Sequence, residues 1–340
     1  MSKTGEKDRF LRTLSAGGGH TAERPPVIVP GSFRAGPGVD LAKEEDLPAN
    51  PQFFKDARRL SELSLFIHDR TGIENLGLPF AMRVISEAYG GEIDEWRGGP
   101  RIPPYPLKEV GEWKKLKNLN PAKDGLLPVI VECMGLLSQT KPDIPVIADI
   151  TAPLSLATAL IDAKTLLKAF LRETAEAHAF LSFLSLTAVE YARSLVDAGA
   201  TAVFIDDPFS TVALLGRDFF SLFAVPYINR ITDAVHGMGC PVMVHLCGPL
   251  MGVRKELEGL RAECISVDSC VSLKGLMAAL PGHLLMGNVS SLILDGGRED
   301  EIRAETRRAL KESPHIVAPS CGLTKGVTLK SLNIMASEAK

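Results

Sequence analysis

With 340 residues, 45% of them apolar and 23% charged, the chain can bury a large core. Its length suits one α/β barrel, which commonly takes about 250 residues plus additions. A formal net charge of −3 and only 6% aromatic residues give neither a basic surface nor a base-stacking platform, which excludes nucleic acid as an expected partner.

The opening "MSKTGEKDRFLRTLSAGGGH" is charged within its first ten residues and holds no apolar stretch of signal-peptide length. No run of about 18 uncharged apolar residues stands out. The longest candidate, "TAPLSLATALIDAKTLLKAFL", is interrupted by Asp162 and Lys164. No membrane is expected as a partner, and the expected setting is the cytoplasm. In that reducing compartment the six cysteines (133, 240, 247, 264, 270 and 321) read as thiols or metal ligands rather than disulfides.

Residues 1–25 read as a partly flexible leader, and "RPPVIVPGS" (24–32) as a first strand. "NPQFFKDARRLSELSLFIHDRTG" (50–72) reads as a helix, and "LPFAMRVISEAYGG" (78–91) as a strand or turn leading into another. The prolines of "RGGPRIPPYPL" (97–107) mark a loop, and "VIVECMGLLSQT" (129–140) a helix. From residue 142 the alternation is regular. Short β-branched runs at 144–150, 201–207, 241–247, 264–269, 283–288 and 315–321 alternate with helix-compatible segments, including 155–177 and 182–200. Two early strands and six later ones predict a (β/α)8 TIM barrel with N-terminal helical and loop elaboration, read as one domain over 1–340. The rival is a doubly wound open sheet, but "SAGGGH" does not follow a strand as a phosphate-binding fingerprint would.

Barrel chemistry belongs at the C-terminal strand ends. Read in order, those ends carry Asp149 and Thr151, Asp206 and Asp207, His245 and Cys247, Asp268, Asn288 and Cys321. About half of these are expected to do no more than cap helices, with Ser269 and Ser290 as further caps. His245 and Cys247 are two apart, so on a strand both project to one side. Cys321 ends the last strand, where barrel closure can bring it beside them. One imidazole and two thiolates suit Zn²⁺ with a fourth position open; a core histidine with two buried thiols is the plain alternative. Cys133, Cys240, Cys264 and Cys270 read as packing, and His20, His68, His178, His236, His283 and His315 as structural or surface residues.

The sequence also resembles the uroporphyrinogen decarboxylase superfamily. The stretches that carry the likeness are "DRFLRTLSAGGGHTAERPPVIVPGS", "LPFAMRVISEAYGGEID", "PVIADITAPLSLATAL", "AGATAVFIDDP", "VPYINRI" and "HLLMGNVS", over roughly residues 8 to 338. Within it, "VHLCG" and "PSCG" resemble the zinc signature of the corrinoid-dependent methyltransferases, methylcobamide:coenzyme M methyltransferases above all. The resemblance implies Zn²⁺ held by His245, Cys247 and Cys321. The decarboxylase branch carries an arginine cluster after its first strand, where this chain reads "VPGSFRAGPG" with Arg34 alone. For a fourth ligand Glu87 is the candidate, with Asp149, Asp206 or water as alternatives. Asn288, Asp149 and Asp206 are the candidates on the cofactor side.

The resemblance further implies an enzyme that moves a methyl group from a methyl-corrinoid (methylcobamide), carried by a corrinoid protein, to a small thiol acceptor such as coenzyme M. Zinc would deprotonate the thiol, and two cysteinate ligands would keep its sulfur electron-rich. The loops "TAPLSL" and "CGPLMG" offer apolar contact to the corrinoid, and Lys325 or Arg34 a cation for an acidic acceptor. Competing readings are the same fold working in the opposite direction, a porphyrinogen decarboxylase, and a docking or zinc-storage module.

Overall fold

A computed structural model describes residues 5–17, 24–34, 55–78, 83–91 and 105–340. Five strands form one parallel sheet in chain order: β1 (Ile147–Thr151), β2 (Ala202–Asp207), β3 (Val242–Leu246), β4 (Cys264–Val267) and β5 (Leu284–Met286). Every residue in them is buried, as expected of parallel strands covered on both faces.

Single parallel bridges carry the pairing further. Met286 pairs with Ile316, Val317 with Val27, and Leu76 with Val146, which leads into β1. Between the two early segments the Glu74 N–H donates to the Val27 carbonyl at 2.8 Å. Backbone pairing thus passes through eight segments, the predicted barrel.

Three of the eight are bridges rather than full strands. Pro25, Pro26 and Pro30 surround Val27, and Pro314 and Pro319 flank Ile316 and Val317. Each removes a ladder donor. The strand expected over 24–32 is therefore one bridge followed by a 3-10 turn, Gly31–Phe33. The second early segment pairs at Leu76, while the strand or turn expected at the start of 78–91 falls mostly on residues outside the described ones. Residues 1–4, 18–23, 35–54, 79–82 and 92–104 lie outside the described residues; within the leader, Glu6–Leu14 is a helix.

The helix expected over 155–177 is broken. Pro153–Leu160 ends before Ile161, which bridges to Leu107, and Asp162 then caps Ala163–Arg172 by accepting from the Thr165 N–H. The next helix, Thr174–Asp197, starts eight residues before the 182 expected. By length and composition it could cross a membrane, but 50% of its most apolar window is buried in the protein. It packs on the helices Pro153–Leu160 and Val225–His236. Ala57–Thr71 and Leu127–Thr140 fall where expected; Asp56 caps the former, and Gly72, at φ 71°, closes it.

Candidate metal centre

Register places the functional row. Thr151 pairs with Asp206, Asp206 with His245, and His245 with Ser266. In-register residues of a parallel sheet share a face, so these four side chains stand side by side, about 4.8 Å apart per strand. Phe33 from the 3-10 turn packs edge-on against the His245 ring with centroids 4.9 Å apart, and Phe204 stacks at 6.3 Å.

Cys247 lies one residue past β3, where the chain turns through Gly248 at φ 79°, a conformation that favours glycine. The Gly248 N–H donates to Asp268 Oδ2 at 3.3 Å, which fixes the turn. Cys321 arrives from the other side of the barrel seam. Val289 bridges to Pro319, and the Ser320 N–H donates to the Val289 carbonyl at 2.7 Å.

The three side chains meet. His245 Nε2 is 3.1 Å from Cys247 Sγ, and Cys247 Sγ is 3.3 Å from Cys321 Sγ. One ligand atom from each lies within 4.8 Å of the other two. His245 is fully buried, and both cysteines are partly open to the barrel mouth. Burial by itself would lower the histidine pKa, but the hydrogen bond and charge of Cys321 outweigh it and hold the ring above its ordinary value. The hydrogen bond from Cys247 draws Cys321 below the usual thiol range despite burial, and the same contact pushes Cys247 up. One thiolate shared between two sulfurs beside an imidazole is a set of soft donors for a metal.

Donor separations around tetrahedral zinc are roughly 3.5–3.8 Å. The separations here need to open by about half an ångström to fit that geometry. A further sign is Asp206, one strand from His245: its buried Oδ1 has no hydrogen-bond partner. Burial lifts its pKa to about 7. A cation in this row would compensate it.

The other sequence candidates fall elsewhere. Glu87 stands outside the three-residue group, and its Oε2 accepts from the Leu126 N–H at 2.9 Å, at the start of a helix. Asp149 is also spoken for: its oxygens accept from the Gly31 and Ser32 N–H groups, each at 3.0 Å. Burial lifts its pKa to about 6. Asn288 fastens the barrel end; its Nδ2 donates to the Asp268 and Val271 carbonyls and its Oδ1 accepts from Arg308. Arg34 is fully buried and donates to the carbonyls of Val29, Asn75 and Gly77, so it does not face an acceptor. Ser269 bonds Asp268, and the cap of the following helix is Ser272; Ser290 stands at a helix start without a capping bond.

Cys133, Cys240 and Cys264 are buried apart from the group, and burial pushes the first two thiols up to about 12. His315 Nδ1 accepts from the Leu285 N–H, a structural role. Sequence reasoning passed over Ser266, which bonds the His245 ring; a serine inside "CISVDS" gives no signal of its own.

Beside the row, a cavity of about 270 Å³ opens at the ends of β1 and β2, lined by Arg83, Thr151, Ser155, Leu156 and Phe209 among others.

The protein is an α/β barrel whose C-terminal mouth brings together a nitrogen and two sulfurs that could hold a metal ion. Over residues 6–340 the sequence matches the uroporphyrinogen decarboxylase (URO-D) family, and the chain belongs to that family. It is 24% identical over 345 residues, 99% of this chain and 98% of the relative, to the methylcobamide:CoM methyltransferase MtaA of Methanosarcina barkeri. It is 25% identical over 294 residues, 85% of this chain and 86% of the relative, to the methylcobamide:CoM methyltransferase MtbA of Methanosarcina acetivorans. Among solved structures, a methyltransferase from Methanosarcina mazei superposes with a TM-score of 0.86 at 23% identity, covering 99% of this chain and 98% of the other.

Proposed function

We propose that this protein is a zinc-dependent methyltransferase that moves a methyl group from a methyl-corrinoid to a thiol acceptor such as coenzyme M. The observation that carries the reading is the convergence of His245, Cys247 and Cys321 within 4.8 Å at the mouth of the barrel. Relatives named as methylcobamide:CoM methyltransferases support the donor and acceptor. The burial of Arg34 among carbonyls counts against a decarboxylase, which would need arginines free for substrate carboxylates.

His245 Nε2 and the two sulfurs would hold the ion. When bound, Zn²⁺ would supply a Lewis acid that keeps the acceptor sulfur as a thiolate at neutral pH. The chain's own part is to orient and to shield. Phe33 and Phe204 pack against the His245 ring, and the cavity by Thr151 gives the acceptor a place two strands from His245 and Cys247. In the transfer the acceptor sulfur forms a bond to the methyl carbon. The carbon–cobalt bond breaks with its electron pair left on cobalt, taking Co(III) to Co(I), and the thiol proton leaves to solvent. A corrinoid protein is the proposed carrier of the methyl group, and the cytoplasm the proposed setting.

The test is anaerobic incubation with methylcobalamin and coenzyme M, or 2-mercaptoethanol, with the corrinoid spectrum as readout. Loss of the methyl-Co(III) bands and growth of Co(I), both abolished in Cys321→Ala, are expected. Unchanged bands with every thiol in a zinc-loaded sample would overturn the reading.

A further inference from the structure

His245 has two ring nitrogens, and only one can face the sulfurs. Nε2 does; Nδ1 lies 3.1 Å from Ser266 Oγ. Ser266 is fully buried on β4, in register with His245. This is the hydrogen bond that Nδ1 makes among the described residues, and the flanking rings of Phe33 and Phe204 offer no acceptor.

We infer that Ser266 is a positioning residue for the metal centre: its hydroxyl oxygen accepts the Nδ1–H and so presents the Nε2 lone pair to the ion. The inference rests on the metal reading above. A neutral imidazole can ligate through Nε2 only when the proton sits on Nδ1, and a buried N–H without a partner is costly. Ser266 supplies that partner and also sets the ring plane, because a hydrogen bond to one nitrogen directs the other.

The choice of partner has a chemical consequence. Such histidines often donate to a carboxylate, which makes the ring a stronger donor and adds negative charge. Asp206 stands in register on the opposite side of His245, yet no hydrogen bond joins its Oδ1 to the ring. A hydroxyl orients the ring without adding charge to a site where two thiolates already balance a divalent ion. The added negative charge then arrives with the acceptor sulfur, where a nucleophile needs it.

The experiment is zinc competition against a chromophoric chelator, with wild type, Ser266→Ala and Ser266→Thr compared. Loss of such outer hydrogen bonds typically weakens metal binding by about ten- to a hundredfold. That weakening is expected in Ser266→Ala, with most of the affinity restored in Ser266→Thr and the metal-free melting temperature of Ser266→Ala close to wild type. Ser266→Ala binding zinc within about twofold of wild type would overturn the inference. Should either variant fail to fold, long-range ¹H–¹⁵N spectra of the zinc-loaded wild type decide it. A proton on Nδ1 of His245 is required, and a proton on Nε2 contradicts the inference. A wild type that binds no zinc instead overturns the metal reading itself, and with it this one.

Discussion

Cys247 and Cys321, 74 positions apart in the chain, bring their sulfurs to 3.3 Å. Nothing local does this. The first lies past the end of β3, the second beyond the bridge between Val289 and Pro319, and only closure of the barrel makes them neighbours.

That proximity has a redox consequence. A sulfur pair already in contact has little distance to cover before forming a bond of about 2.05 Å. Protein stripped of metal and treated with diamide is expected to lose two titratable thiols and its capacity to take up zinc, both regained with dithiothreitol. Zinc-loaded protein is expected to resist the same treatment. Thiol titration checks this, and equal thiol loss in both samples would argue against shared coordination.

Asp149 joins β1 to the turn Gly31–Phe33, which carries Phe33 against His245. The fit is close: a Cβ at Gly31 would stand 2.5 Å from Asp149 Oδ2 and from Leu78 backbone. Asp149→Asn keeps one acceptor and turns an amide N–H₂ toward a backbone N–H. We expect it to cost about 1–3 kcal/mol in urea unfolding. An unchanged midpoint would separate the turn from this carboxylate.

Arg34→Met tests whether this arginine belongs to structure or to substrate. Its guanidinium serves three carbonyls and faces the charge of Asp149 in the interior. Removing one partner of a buried charge pair costs roughly 3–5 kcal/mol, and a large drop in the urea midpoint is the expected result. A stable variant with a raised KM for the acceptor would instead assign Arg34 to binding.

Asp207 gives a pH dependence. Its carboxyl accepts from the Ser155 and Ser210 hydroxyls, and burial lifts its pKa from 3.8 to about 6. Between about pH 4 and 6 the folded protein keeps a proton that the unfolded chain has lost. Stability from this group is therefore complete below about pH 4 and falls as pH rises to 6, by roughly 3 kcal/mol in total. Comparing wild type with Asp207→Asn at about pH 4.5 and 7, the variant should gain relative to wild type at the higher pH. A difference independent of pH would contradict the assignment.

The barrel and the common side of His245 and Cys247 are legible because both depend on short-range pattern, whereas Cys321 joins them only through closure and is singled out in the sequence by its Cys-Gly ending and by the resemblance. The β-branched runs from residue 142 onward alternate with helices, and the i, i+2 spacing of His245 and Cys247 fixes their common side. What depends on long-range packing is not legible. Glu87 resembles a site carboxylate in sequence but is taken up by the Leu126 N–H, and Asn288 by carbonyls from a neighbouring loop. Arg34 reads as a cation for an acidic acceptor and is fully buried. Ser266 reads as nothing at all, because its meaning comes from a histidine 21 positions away.

The most direct measurement is elemental analysis of protein purified without chelator, wild type beside the double variant Cys247→Ala/Cys321→Ala and the control Cys133→Ala. About one zinc per chain is expected in wild type and control, as three protein ligands to a single ion require, and almost none in the double variant. Full zinc occupancy after both sulfurs are removed would contradict the metal centre, and methyl transfer to a thiol would lose its foundation.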